Sequence, residues 1–154
     1  MLNLPILVGE VNPYGAEPEY ALYCLPENSA GGRLQRLVLG VRRTRYLDFP
    51  RYNLCVGKWS IRAARLEAER LRLVQHRGRK LVLLGSKVCG AFGVPFVPCS
   101  LQGGVDSADT CTYVVLPHPS GLNRFWNEPG AFEMARATVQ REFPHIDFGS
   151  RGEE

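Results

Sequence analysis

Two short runs that are apolar at every position, Leu81-Val82-Leu83-Leu84 and Tyr113-Val114-Val115-Leu116, constrain the fold most. A strand with one wet face alternates apolar and polar residues. A brief unbroken apolar run reads instead as a strand covered on both faces, as in a parallel sheet between layers of helix. Each run is followed at once by residues that turn the chain. Gly85-Ser86-Lys87 follows the first, and Pro117-His118-Pro119-Ser120-Gly121 the second. In open α/β sheets, polar groups at such strand ends are where the chemistry sits.

The rest of the chain fits that frame. Leu4-Pro5-Ile6-Leu7-Val8 reads as a first strand ended by Gly9, and residues 13–32 as a long ordered loop. Leu34, Leu37 and Val38 mark a short helix between Gly32 and Gly40, and Arg42 to Arg45 a basic connection. Arg51 to Val56 is a second strand. Ser60 is a natural N-cap for the longest helix, Ile61 to His76, with Ile61, Ala64, Ala68, Leu71 and Val74 on one stripe. Lys80 to Leu84 is the third strand and Cys111 to Leu116 the fourth, with Phe96-Val97 as an edge segment. A last helix starts at Pro129 and turns Phe132, Ala135 and Val139 inward. The expected fold is α/β: three αβα layers around a short, mostly parallel four-stranded sheet, in one domain spanning residues 1–154.

Composition narrows the setting. The chain is 45% hydrophobic and 22% charged, and no apolar run approaches the ~20 residues a bilayer requires. The first residues carry no basic segment followed by a long apolar one, so a cytoplasmic monomer without membrane contact is expected. The five cysteines are scattered without a C-x-x-C pair and read as small buried hydrophobes; neither a metal nor a cofactor is expected. Charge is uneven. Residues 33–80 hold fourteen Lys or Arg against three acids, a net +11, while residues 1–32 hold four acids and no base. An arginine-rich middle is the footprint of a phosphate-rich partner, or the solvated face of a helix plus a basic loop.

The polar segments after the first and fourth strands carry the candidate chemistry. Val8-Gly9-Glu10-Val11-Asn12-Pro13-Tyr14-Gly15 offers a carboxylate and a carboxamide, and Leu116 to Arg124 offers an imidazole held between two prolines. Gly9-Glu10, Asn12-Pro13 and Pro13-Tyr14 are each similar to the first motif of a different branch of the uracil-DNA glycosylase superfamily: thermophile-type, mismatch-specific and classical. His118-Pro119-Ser120 resembles the superfamily's second motif, and Pro119-Ser120-Gly121-Leu122 its mismatch-specific form. The resemblance covers about Pro5 to Phe143.

What the resemblance implies is a monofunctional DNA glycosylase acting on uracil or a modified pyrimidine, with DNA as partner. His118 would donate to the departing base, and Asn12 or Glu10 would handle the attacking water. Tyr14, Gly15, Tyr23 (or Tyr20) and Asn53 would form the base pocket. Leu122 would wedge into the base stack, while Ser120, Arg124, Ser86 and Lys87 would hold the backbone. Tyr14 at the pocket wall would exclude a bulky 5-substituent and Gly15 would admit one. The first cysteine, Cys24, lies beyond the first motif, so the iron–sulfur cluster of the thermophile-type branch is not expected. A catalytically silent DNA-binding protein and a nucleoside or nucleotide hydrolase remain the alternatives.

Overall fold

The computed structural model describes residues 4–12, 17–72, 80–103, 112–146 and 148. Five strands form one sheet in the order β2-β1-β3-β5-β4. These are β1 (Ile6–Asn12), β2 (Arg51–Val56), β3 (Lys80–Leu84), β4 (Ser100–Gln102) and β5 (Thr112–Leu116). The four strands β2, β1, β3 and β5 run parallel. The fifth, β4, is a short antiparallel edge beside β5, pairing Leu101 with Val114. It replaces the edge expected at Phe96-Val97 and makes the sheet five-stranded.

Alternate residues of the same strands feed two cores, as the pleat requires. Leu7, Val82, Leu84, Val114 and Leu116 face one side, against Leu34, Val38, Tyr46 and α5 (Ala131–Glu142). Ile6, Val8, Leu81, Leu83, Tyr113 and Val115 face the other, against α3 (Ile61–Arg70) and α4 (Ser86–Phe92). Ala64 and Ala68, one turn apart on α3, are both fully buried, and their small side chains let the helix lie close on the sheet. Both apolar runs are thus buried on both faces, which is why they carry no polar alternation.

Local details depart from expectation for physical reasons. Strand β1 does not stop at Gly9; it runs on to Asn12, because β2 stays in register as far as Asn12 opposite Val56. The first helix, α1, begins earlier (Ala30–Arg33), with Ser29 Oγ accepting from the Gly32 amide, and relaxes into a π-helical turn over Leu34–Leu39 that Gly40 ends. The basic connection holds a single turn, α2 (Arg43–Tyr46). Ser60 caps α3 as the sequence suggests, its Oγ accepting from the Ala63 amide. The expected end of that helix at His76 lies outside the described residues. The last helix begins at Ala131 rather than Pro129.

Chain order places the site. From β1 the chain moves outward to β2, then crosses back to β3 and on to β5. The direction of winding changes between β1 and β3, and a crevice outside the carboxyl ends of the strands is the geometric result.

Candidate functional site

A cleft of about 390 Å³ opens at this carboxyl edge, lined by Glu10 and Asn12 from β1, Asn53 from β2, His118 after β5, Tyr20, Leu22 and Tyr23 from the long loop, and the start of α1. Two segments far apart in sequence therefore meet around one space. Gly85 makes the meeting possible. It sits at φ +100, and a Cβ there would lie 3.1 Å from His118 Cβ and 3.5 Å from Glu10 Oε2.

His118 is held by its own loop. Its carbonyl accepts from Trp126 Nε1 at 2.8 Å and from Asn123 Nδ2 at 3.0 Å, and its Nδ1 accepts from the Ser120 amide at 3.2 Å. A ring nitrogen that accepts carries no proton, so neutral His118 bears its hydrogen on Nε2. Burial pushes the imidazole below its ordinary pKa; Glu10 opposes that shift and Lys87 reinforces it. His118 is a neutral Nε2–H donor at neutral pH.

The carboxamides form a second fixed unit. Asn53 Nδ2 donates to Asn12 Oδ1 at 2.6 Å. Asn53 Oδ1 is buried without a partner, against Gly9, where a Cβ would collide with it. That orientation is the sensible one: an oxygen tolerates a Cα–H neighbour, whereas a buried amide N–H₂ there would be orphaned. Asn12 is 8% exposed, and its Nδ2 has no hydrogen-bond partner among the described residues. With Asn53 Oδ1 buried, Nδ2 is the polar end of the side chain left to serve the cleft.

The remaining candidates are distributed as follows. Tyr23 lines the cleft and meets Tyr20 edge-on at 4.9 Å between centroids. Ser120 is spent on its loop, its Oγ accepting from the Leu122 amide. Leu122 is 94% exposed, at the tip of the loop that carries His118. Arg124, Ser86 and Lys87 are exposed. The Lys87 ammonium stands 5.9 Å from the Trp59 ring centroid. Tyr14 and Gly15 lie outside the described residues.

Several cations of the basic middle work inside the fold and do not form one outer face. Arg33 Nε donates to the Pro119 carbonyl at 2.7 Å, and its guanidinium lies 5.6 Å from the Phe132 centroid. Arg51 donates to the Ala21 carbonyl, and the buried Tyr46 hydroxyl donates to the Leu22 carbonyl at 2.6 Å. Together they pin the loop that walls the cleft, where Leu22 holds a left-handed φ of 52. Sequence reasoning missed Arg33 and Trp126. Nothing local marks them; Arg33 sits in a run of arginines and reaches a carbonyl 86 positions away.

Cys24, Cys55 and Cys89 are buried free thiols and Cys99 is half-buried, while Cys111 lies outside the described residues. Among the described residues no helix is long and apolar enough to cross a membrane. Comparison with family models, with curated proteins and with solved structures finds no match to this chain.

Proposed function

We propose that the protein is a DNA glycosylase that hydrolyses the bond between deoxyribose and an everted pyrimidine, leaving an abasic site. One observation carries the reading: the carboxylate of Glu10, the carboxamide of Asn12 and the imidazole of His118 line a single cleft. The two motifs that resemble the uracil-DNA glycosylase superfamily supply those three residues.

Cleavage of the glycosidic bond leaves negative charge on the departing base and positive charge on the sugar. A fixed, neutral Nε2–H on His118 is a preorganised donor for a base oxygen. Asn12 can hold a water through its free Nδ2, with Glu10, the one acid among the described residues that line the cleft, taking the water's proton as attack proceeds. Asn12 thus orients and Glu10 accepts, which divides the work that the first motif leaves open.

The walls offer donors: His118 Nε2, Asn12 Nδ2 and the second hydrogen of Asn53 Nδ2. Pyrimidines with oxygens at both the 2 and 4 positions match that set, whereas cytosine presents an amine at position 4. Tyr23 supplies a face for stacking, and Leu122 an apolar side chain to fill the vacated stack. Incubation with duplexes containing uracil or 5-substituted pyrimidines, followed by alkali, tests the reading. Strand breaks at the modified position support it, and intact strands from folded protein refute it.

A further inference from the structure

A second hollow of about 260 Å³ lies on the other side of Glu10 and His118, which line both spaces. Its remaining walls include Ser86, Lys87, Phe96 and Phe125. The reaction outlined above uses none of these four at the bond being broken. We propose that this hollow is a subsite for the nucleobase next to the everted one on the same strand. The proposal rests on the reading of the protein as one that binds DNA.

Size sets the class of occupant. The hollow falls below the ~300–1,000 Å³ of pockets for drug-sized ligands, so it suits a single ring system. Its lining selects the kind of ring. Phe96 is a 40% exposed phenyl on the loop between α4 and β4. Phe125 is fixed from behind by an edge-on contact with Trp126 at 5.1 Å. Aromatic faces held in place accept any base by stacking.

Charge sets the direction. Lys87 lines the hollow, is exposed, and has no carboxylate partner among the described residues. The Glu10 carboxylate lines the hollow as well. A phosphate is repelled by that carboxylate and attracted by the Lys87 ammonium, while an uncharged ring can enter. Two adjoining spaces that share Glu10 and His118 as a wall, the second with Lys87 in its lining, match two consecutive nucleotides of a single strand.

The test uses a fluorescent pentanucleotide with 2′-fluoro-2′-deoxyuridine at its centre, which resists cleavage. Two companion probes carry an abasic spacer on the 5′ or the 3′ flank, and binding is read by anisotropy. Wild-type protein is expected to lose about tenfold in affinity when one flank is abasic and little when the other is. Phe96→Ala is expected to bind the intact probe about tenfold more weakly and to ignore both spacers. Lys87→Ala is expected to weaken all three probes equally and to reduce the salt dependence.

Equal response of wild-type protein to both spacers overturns the subsite. So does a uniform loss in folded Phe96→Ala, or failure of every probe to bind. Base release from a cleavable uracil strand is scored separately. A one-sided spacer effect without base release keeps the subsite and rejects the glycosylase; base release without a spacer effect does the reverse.

Discussion

Asn53 donates its amide to Asn12 Oδ1 across 2.6 Å and so ties the last residue of β1 to the middle of β2. The contact fixes which atoms of Asn12 face the cleft. Asn53→Ala removes the tie and lets the Asn12 carboxamide rotate. Displacement of a positioning group on this scale costs ~10²-fold in rate. Steady-state kinetics are expected to show that loss in kcat with KM little changed. Asn53→Asp is expected to be equally slow in a folded protein, because an aspartate can only accept and draws Asn12 Nδ2 away from the cleft.

Gly9 stands beneath that pair. A Cβ there meets Asn53 Oδ1 and the Leu22 side chain, whose Cγ would be 3.1 Å away. Both neighbours are packed, so Gly9→Ala is expected to cost about 1–3 kcal/mol of stability, seen as a lower denaturation midpoint. An unchanged midpoint would mean that the two side chains have room to move.

Leu122 has almost no contact to lose, being 94% exposed. Leu122→Ala is expected to leave stability within about 0.5 kcal/mol. Turnover on duplex DNA is expected to fall at least tenfold, with a smaller fall on single strands, where no stack must be opened. Equal loss on both substrates would remove the wedge role.

On the proposed mechanism, the acid limb of activity reports His118. The neutral form is the donor, and burial lowers its pKa, so the limb is expected below the ordinary histidine value of about 6.5. Lys87→Gln removes an influence that lowers the pKa and moves the limb up. Glu10→Gln removes one that raises it and moves the limb of the residual activity down. Stability follows the same sign. His118's contribution is complete above about pH 6.5 and declines as pH falls from there toward the depressed folded value, because the unfolded chain takes up the proton first.

Arg33 offers a separate check on preorganisation. Arg33→Lys keeps the charge but loses the Nε–H that holds the Pro119 carbonyl at 2.7 Å. The expected result is slower base release with an unchanged salt dependence of DNA binding. A changed salt dependence would make Arg33 a phosphate contact.

The sheet was legible because the apolar runs of β3 and β5 leave no dry–wet alternation to misread, and α3 carries an ordinary cap at Ser60; the Ser29 cap was missed, and with it the start of α1. The edge strand was misplaced because β4 is three residues long and Ser100-Leu101-Gln102 carries no strand pattern of its own; pairing with β5 makes it a strand. Convergence of Asn12 and His118 was foreseen from strand ends. Their supports were hidden because they are made by tertiary contacts: Arg33 to Pro119, Trp126 to His118, and Asn53 to Asn12. Two arginines of the basic middle were illegible for a related reason. Arginine reads as surface charge in a sequence, yet Arg33 and Arg51 serve carbonyls within the fold.

The most direct measurement is single-turnover release of free base from a uracil-containing duplex, followed by mass spectrometry of both products, for wild-type protein and for folded Asn12→Ala and His118→Ala. Paired appearance of free base and abasic strand, with each substitution slowing both by ~10²-fold or more, is the predicted result. Absence of free base in the wild-type reaction, or release at the same rate in all three proteins, would contradict it.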